Sequence, residues 1–148
     1  MPFETTKPPL EIITTREFNV SPDTLFAAFS NAKCLSQWWG PDGFSNEMHI
    51  FDFREGGEWD FIMRTQGFPD FRNQSRFLKI DEPRHISFLH LGPIHVFTML
   101  MDYEPTPNGT RLTWVMQMED SQQNQDIKHF IEAANEQNFD RLEQFIAL

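Results

Sequence analysis

The sequence predicts an α+β domain in which a curved antiparallel sheet of about seven strands packs against one long C-terminal helix. The helix is indicated by apolar residues that recur every three or four positions near the end of the chain. The sheet is indicated by successive segments of alternating apolar and polar residues. The turns that join these segments are too short for the crossover that parallel strands need. Two short helical segments lie between the first and second strands.

The long helix is predicted over residues 120–147. Its apolar stripe consists of Ile127, Phe130, Ile131, Ala134, Phe139, Leu142, Phe145 and Ile146. About 28 residues at a rise of ~1.5 Å form a rod of roughly 40 Å, so we expect other elements to lie along it. Two positions on the stripe are polar, Asn135 and Asn138. Each of these side chains either bonds to a neighbouring backbone group or faces an internal cavity.

The first strand and the two short helices come early in the chain. Residues 10–19 alternate between apolar and polar side chains, as expected for a half-buried strand. Ser21 is a favourable N-cap, and Pro22 occupies the first position of the helix that follows. A second short helix is predicted over residues 32–38, and the Gly-Pro pair that follows at residues 40–41 stops it.

The other strands follow one another without a helix between them. They are predicted over residues 44–53, 58–64, 74–81, 85–91, 95–104 and 111–118, and residues 66–72 are predicted to form a loop. The first two of these strands form a hairpin around Gly56-Gly57.

Length and composition fit one domain over residues 1–148, in which the proline-rich residues 1–9 form a loose arm. Sixteen Phe and four Trp against a single Tyr indicate a large apolar interior or an apolar pocket. The formal net charge is −10, and the chain has no cluster of Lys or Arg. This charge argues against nucleic acid and against an anionic membrane surface as partners.

The single cysteine, Cys34, excludes a disulfide bond within the chain and fits a reducing compartment. The first ten residues carry one Lys and no apolar run, unlike a signal peptide. No segment approaches the ~18 consecutive apolar residues of a membrane-spanning helix. We therefore expect a cytoplasmic protein without a membrane span.

Two motifs carry a family resemblance. One is the run Leu-Ser-Gln-Trp-Trp-Gly-Pro at residues 35–41, and the other is Asp-Phe-Arg-Glu-Gly-Gly at residues 52–57. They resemble the L-x-x-W-W-G-P and D-x-R-x-G-G signatures of the activator-of-heat-shock-ATPase homologue family, which belongs to the START-like, or SRPBCC, superfamily. With further matches, such as Phe-Asp-Arg-Leu-Glu at residues 139–143, the resemblance covers residues 14–147.

The resemblance implies the helix-grip fold. In this fold an antiparallel sheet grips a C-terminal helix, two small helices close one end, and a cavity lies between sheet and helix. Family members usually carry Gly-Trp near the middle of the terminal helix, where this chain has Ala134-Asn135. If that Trp lines the cavity in relatives, we expect the pocket of this protein to be roomier or more polar at the same place.

We predict that aromatic and Met side chains of the strands, together with residues of the terminal helix, line the cavity, because strand parity and helix phase place them on inward faces. The predicted lining residues are Trp38, Trp59, Phe61, Phe97, Met99, Trp114, Phe130, Asn135 and Phe139. The Trp38-Trp39 pair is also explained as a hydrophobic plug at the end of the grip, which would be a purely structural role.

Candidate catalytic groups are few. Asp52 and Arg54 flank the hairpin turn two positions apart and are explained most simply as a structural ion pair. With His49 and Asn135 they are also candidates for acid–base chemistry, provided that they reach the cavity. The five histidines form neither His-x-His nor His-Glu-x-x-His. We therefore expect neither a metal nor another cofactor.

The leading functional hypothesis is the binding of a small, mostly apolar molecule between the sheet and the terminal helix. A second hypothesis is an enzyme similar to a cyclase or aromatase, acting on a polyketide-type or other hydrophobic substrate. The family resemblance suggests a third, a chaperone-accessory protein whose partner is a large ATPase. A homodimer is also compatible with the sequence.

Overall fold

The computed structural model describes residues 7–147 of the chain. The strands are β1 (Leu10–Phe18), β2 (Ser45–Phe51), β3 (Glu58–Arg64), β4 (Phe71–Asp81), β5 (His85–Gly92), β6 (Phe97–Thr106) and β7 (Gly109–Met118). The helices are α1 (Pro22–Ser30), α2 (Ala32–Leu35) and α3 (Gln122–Ile146). Of the predicted N-terminal arm, residues 7–9 belong to no helix or strand, and residues 1–6 lie outside the described residues.

The strands form one sheet in the order β1-β7-β6-β5-β4-β3-β2. Neighbouring strands from β2 to β7 are consecutive in the chain and antiparallel, as short turns require. β1 pairs with β7, with Thr14 opposite Trp114, so α1 and α2 carry the chain from one edge of the sheet to the other. The curved sheet against α3, with two short helices after β1, confirms the predicted α+β helix-grip fold.

Both short helices begin at side-chain caps. Ser21 Oγ accepts a hydrogen bond from the Thr24 amide at 3.3 Å, and the side chain of Asn31 caps α2 in the same way. The structure ends α2 at Leu35, before the predicted end at residue 38. The helix stops there because the chain tightens into turns, one of which the Trp38 amide closes by donating to the Leu35 carbonyl.

β4 begins at Phe71, although the sequence predicts a loop as far as residue 72. Its pairing with β3 places Asn73 opposite Phe61 and Ser75 opposite Trp59. Asn73 and Ser75 are both buried on the inner face of the sheet. The sequence predicts this strand only from residue 74, because the inward-facing Asn73 is polar and does not continue the apolar alternation.

α3 is buried only towards its C-terminal end. Asn138, Phe139 and Leu142 are its buried residues, whereas Phe130, on the predicted apolar stripe, is 77% exposed. The first half of the helix therefore does not pack closely onto the sheet, which leaves space between them. None of the three helices in the described chain is long and apolar enough to cross a membrane.

Arg16 of β1 fixes the position of α3 against the edge of the sheet. Its guanidinium nitrogens lie 2.8 Å from a carboxylate oxygen of Glu136 and 2.8 Å from one of Asp140. The same guanidinium lies 5.6 Å from the centre of the Phe139 ring. Because both carboxylates are more than half exposed, we expect these pairs to orient the helix more than to stabilise it.

Candidate functional site

A cavity of about 290 Å³ lies between the inner face of the sheet and α3. Side chains of β3 to β7 form most of its wall, and Ile131, Ala134, Asn135 and Asn138 of α3 form the opposite side. The segment from Trp39 to Pro41, which follows α2, also contributes to the wall. The lining is mostly aromatic and aliphatic, as is usual for sites that bind small molecules.

Packed aromatic rings form part of the cavity wall. The ring of Trp39 lies 5.3 Å from that of Trp59 and 5.3 Å from that of Trp114. Trp59 also contacts Phe88 edge to face, with ring centres 5.2 Å apart. Each ring is wedged between others, so this wall is preformed in the fold.

Four residues, Asn73, Ser75, His90 and His95, form a polar cluster on the otherwise apolar wall. Ser75 of β4 lies opposite His90 of β5 in the sheet register. His90 Nδ1 lies 3.1 Å from the backbone oxygen of His95, and His90 Nε2 lies 3.0 Å from Asn73 Oδ1. Phe97 stacks on the His90 imidazole, with ring centres 4.5 Å apart, and fixes its plane.

Burial makes both histidines of the polar cluster weaker bases. Desolvation lowers the pKa of His90 to about 4 and also lowers the pKa of His95. Both imidazoles are therefore neutral at pH 7 in the protein alone. Within residues 7–147, no three His, Cys, Asp or Glu side chains gather as a metal site requires.

Three polar atoms on the cavity wall are buried without a hydrogen-bond partner among the described residues. They are Ser75 Oγ, His95 Nδ1 and Trp114 Nε1. The Ser75 and Trp114 side chains belong to residues that are only 4% and 1% exposed. Buried polar atoms are nearly always bonded in native proteins, so these three are polar groups of lining residues whose hydrogen bonds the described residues leave incomplete.

Two asparagines of α3 face the cavity and bond in different ways. Asn138 donates a 2.9 Å hydrogen bond to the backbone oxygen of Trp38. Asn135 donates to Thr14 Oγ1 of β1 at 3.4 Å, close to the upper limit for a hydrogen bond. The bond of Asn138 is therefore the firmer of the two, and the Asn135 amide is the freer to bind elsewhere.

Arg141 holds together the segment that follows α2. One of its guanidinium nitrogens donates to the carbonyls of Trp39, Gly40 and Pro41 at 3.0 Å each, and the other donates to the carbonyl of Phe44 at 3.0 Å. Desolvation lowers the pKa of Arg141, although a guanidinium stays charged at neutral pH. The segment reverses at Gly40, whose φ of +96° favours glycine.

The structure brings six of the nine predicted lining residues together on the cavity wall: Trp59, Phe61, Phe97, Met99, Trp114 and Asn135. Three predictions need correction. Trp38 points into the core, where its Nε1 donates to the Ala28 carbonyl at 3.0 Å. Phe139 is fully buried against Trp114, with ring centres 4.7 Å apart. Phe130 faces solvent, because the first half of α3 does not pack closely onto the sheet.

Of the four candidate acid–base groups, Asp52, Arg54 and His49 lie outside the cavity, and Asn135 lines it. Asp52 and Arg54 form an ion pair at 2.9 Å beside the hairpin turn, with the Arg54 side chain 77% exposed. His49 pairs with Glu47 on the surface of β2. The structure therefore supports the ion-pair interpretation of Asp52 and Arg54 and removes them from any catalytic role inside the cavity.

The polar cluster was not identified from the sequence as part of the cavity. Asn73 lies between the predicted loop, which ends at residue 72, and the predicted strand, which begins at residue 74, and Ser75 lies in that strand among several polar residues. The sequence does contain the pattern that places them there. Alternate residues of a strand face the same side, and the apolar Phe77 faces the core. Ser75 and Asn73, two and four positions before it, therefore face the core as well. His90 can be assigned to the polar cluster only from the pairing of β4 with β5, which places it opposite Ser75.

A curved sheet gripping a terminal helix around an apolar cavity defines the helix-grip class of the START-like superfamily. Residues 19–147 match the family described as Activator of Hsp90 ATPase homolog 1-like protein. The chain belongs to this family, as the two sequence motifs predict. None of the curated proteins matches it significantly in sequence.

Solved structures share this fold at low sequence identity. A protein from Arthrobacter aurescens is 21% identical with a TM-score of 0.85, over 94% of this chain and 87% of that one. A protein from Nitrosomonas europaea is 22% identical with a TM-score of 0.81, over 93% and 94% of the two chains. An AHSA1 protein from Silicibacter pomeroyi is 22% identical with a TM-score of 0.79, over 93% and 98%. These likenesses show the fold.

Proposed function

We propose that the protein binds a small, mostly apolar molecule in the cavity between the sheet and α3. The observation that carries the proposal is an apolar cavity whose lining residues include Ser75, His95 and Trp114, each with a buried polar atom that has no hydrogen-bond partner among residues 7–147. A buried polar atom left without a partner costs about 1–3 kcal/mol. A ligand that bonds to such an atom removes this cost while its apolar part is withdrawn from water.

The volume of the cavity indicates the size of the ligand. At the ~30 Å³ that one water molecule occupies in the liquid, 290 Å³ corresponds to roughly ten non-hydrogen atoms. This size fits a medium-chain aliphatic or a single-ring aromatic compound. A membrane phospholipid with two acyl chains is several times larger than this volume.

A variant that fills the cavity tests the proposal. Ala134 lines the cavity from α3, whereas the adjacent Ala133 is exposed on the outer side of the same helix. We expect Ala134→Trp to abolish binding of small apolar compounds and Ala133→Trp to leave it unchanged. The measurement is a thermal-shift screen with aliphatic and aromatic compounds of roughly ten heavy atoms, followed by calorimetry. Equal binding by both variants would place the ligand elsewhere.

The cyclase-like alternative keeps one of its four candidate groups, Asn135, because Asp52, Arg54 and His49 lie outside the cavity. A chaperone-accessory role rests on the family description alone and would be tested by stimulation of a chaperone ATPase.

Our proposal includes a cytoplasmic location, which the single cysteine, Cys34, supports because it forms no disulfide within the chain.

A further inference from the structure

The hydrogen bonds around His90 are incomplete when its imidazole is neutral. Its two nitrogens face two acceptors, the backbone oxygen of His95 at 3.1 Å and Asn73 Oδ1 at 3.0 Å. A neutral imidazole has one N–H, so it can donate to only one of them. The other contact then brings two acceptors together.

Rotation of the Asn73 amide does not repair this defect. In the structure Asn73 Nδ2 donates to the backbone oxygen of Phe71 at 3.1 Å. Exchanging the amide oxygen and nitrogen would give His90 Nε2 a donor, but it would also place Oδ1 against the Phe71 oxygen. Three contacts link the backbone oxygen of His95, the His90 imidazole, the Asn73 amide and the backbone oxygen of Phe71. All three are hydrogen bonds only when both ring nitrogens of His90 are protonated.

A charged His90 requires a counter-charge that the cavity wall does not supply. Among residues 7–147, no Asp, Glu, Lys or Arg lines the cavity, and its titratable side chains are His90 and His95. The surroundings of His90 are Asn73 and Ser75 from β4, Phe97 from β6 and His95 from the preceding loop, while α3 contributes Ile131, Ala134, Asn135 and Asn138. All of these except His95 are uncharged at every ordinary pH.

Two charged residues on elements that form the cavity wall, Asp60 and Arg141, already have partners. Asp60 of β3 alternates with the inward-facing Trp59 and Phe61, so it lies on the other face of the sheet, where Arg72 binds it at 2.7 Å. Arg141 of α3 donates to backbone carbonyls of the segment after α2. Within the described residues, no side chain supplies a negative charge next to the polar cluster, and a bound anion would supply it.

We propose that the ligand is a small apolar monocarboxylic acid whose carboxylate lies against the polar cluster and is bound together with one proton held by the histidines. This inference rests on the proposed ligand-binding function and names its chemical class. The carboxylate supplies the missing counter-charge, which allows His90 to complete its hydrogen bonds. Ser75 Oγ and His95 Nδ1 have no hydrogen-bond partner among residues 7–147 and are covered in the structure, so a rotation of each side chain would let it donate to a carboxylate oxygen.

The proposal is tested by comparing acids with their neutral amides of the same shape. Calorimetry with octanoate, octanamide, 3-phenylpropionate and 3-phenylpropanamide would be carried out between about pH 6 and about pH 8, where the free acids stay ionised. We expect the affinity for the acids to rise as the pH falls, by up to about tenfold per pH unit, and the affinity for the amides to stay constant. Titration in buffers of different ionisation enthalpy should show uptake of up to one proton per acid bound.

Variants identify the groups that take up the proton. His90→Gln and His95→Gln should reduce the proton uptake and flatten the pH dependence of acid binding. His85→Gln is the matched control, because His85 lies on the same strand but pairs with Asp102, away from the cavity. If His90→Gln does not fold, the infrared spectrum of the bound acid decides the question, because a carboxylate band supports a proton on the histidines and a protonated carboxyl band would contradict it.

The possible outcomes separate this inference from the proposed function. Tighter binding of amides than of acids at about pH 6, or acid binding without proton uptake, would overturn the carboxylate inference and leave ligand binding in place. Binding of neither the acids, the amides nor any compound of the wider screen would overturn both. Acid binding that rises at low pH, with a proton uptake that His90→Gln or His95→Gln reduces and His85→Gln does not, supports the inference.

Discussion

Asn138 Nδ2 donates a 2.9 Å hydrogen bond to the backbone oxygen of Trp38, across 100 positions of the chain. The bond joins the buried end of α3 to the segment that closes the cavity. Asn138 is 4% exposed, so water competes little for either group. This polar residue interrupts the apolar stripe of α3 because the backbone of a neighbouring segment requires a donor at that point.

Replacing Asn138 by Leu should destabilise the protein by about 1–3 kcal/mol, because the Trp38 oxygen would be left buried without a donor. The greater apolar surface of Leu offsets only part of this loss. Urea denaturation followed by circular dichroism measures the change in the free energy of unfolding. An unchanged urea midpoint would mean that the Trp38 oxygen finds another partner.

Replacing Asn135 by Leu should affect ligand binding more than stability. Its bond to Thr14 is long, at 3.4 Å, so we expect the free energy of unfolding to change by less than about 1 kcal/mol. Because Asn135 lines the cavity, the affinity for the compound that binds best in the thermal-shift screen should change several-fold. A large gain in stability with unchanged affinity would show that Asn135 only fills apolar packing.

The sequence predicts the elements of the fold well, because each is specified by local signals. The cap at Ser21 and the alternation through Trp59 and Phe61 depend on residues a few positions apart. The site is predicted less completely, because it depends on contacts between distant strands. Ser75 meets His90 only through the β4–β5 register, which local patterns do not specify. Phe130 lies on the apolar stripe of the helix, where a buried residue is expected, but it is exposed because the first half of α3 does not pack closely onto the sheet.

The stability of the protein should be sensitive even to a conservative substitution of Arg141. Arg141→Lys keeps the charge but loses the planar fork that reaches the carbonyls of both Gly40 and Phe44, so we expect a loss of about 1–3 kcal/mol in unfolding free energy. Arg54→Lys is the matched control, because Arg54 is 77% exposed and should change stability by less than about 0.5 kcal/mol. Equal effects of the two substitutions in urea denaturation would contradict the structural role of Arg141.

Asp60 should make stability depend on pH in acid solution. Arg72 donates to both of its carboxylate oxygens, at 2.7 and 3.2 Å, and these hydrogen bonds lower the pKa of Asp60 in the folded protein. The folded state therefore binds this proton less readily than the unfolded state, in which the pKa is about 3.9. The stabilisation by the pair is present above that value and is lost as the pH falls through the lower folded pKa.

Asp60→Asn should therefore reduce the urea midpoint at neutral pH, and the difference from the unmodified protein should disappear as the solution is made acidic. Asp70→Asn is the control, because Asp70 also pairs with an arginine, Arg64, but its side chain is 57% exposed. An exposed pair contributes little, so this variant should follow the unmodified protein at every pH. A midpoint difference for Asp60→Asn that persists unchanged into strong acid would show that the substitution acts through packing and not through the charge of the carboxylate.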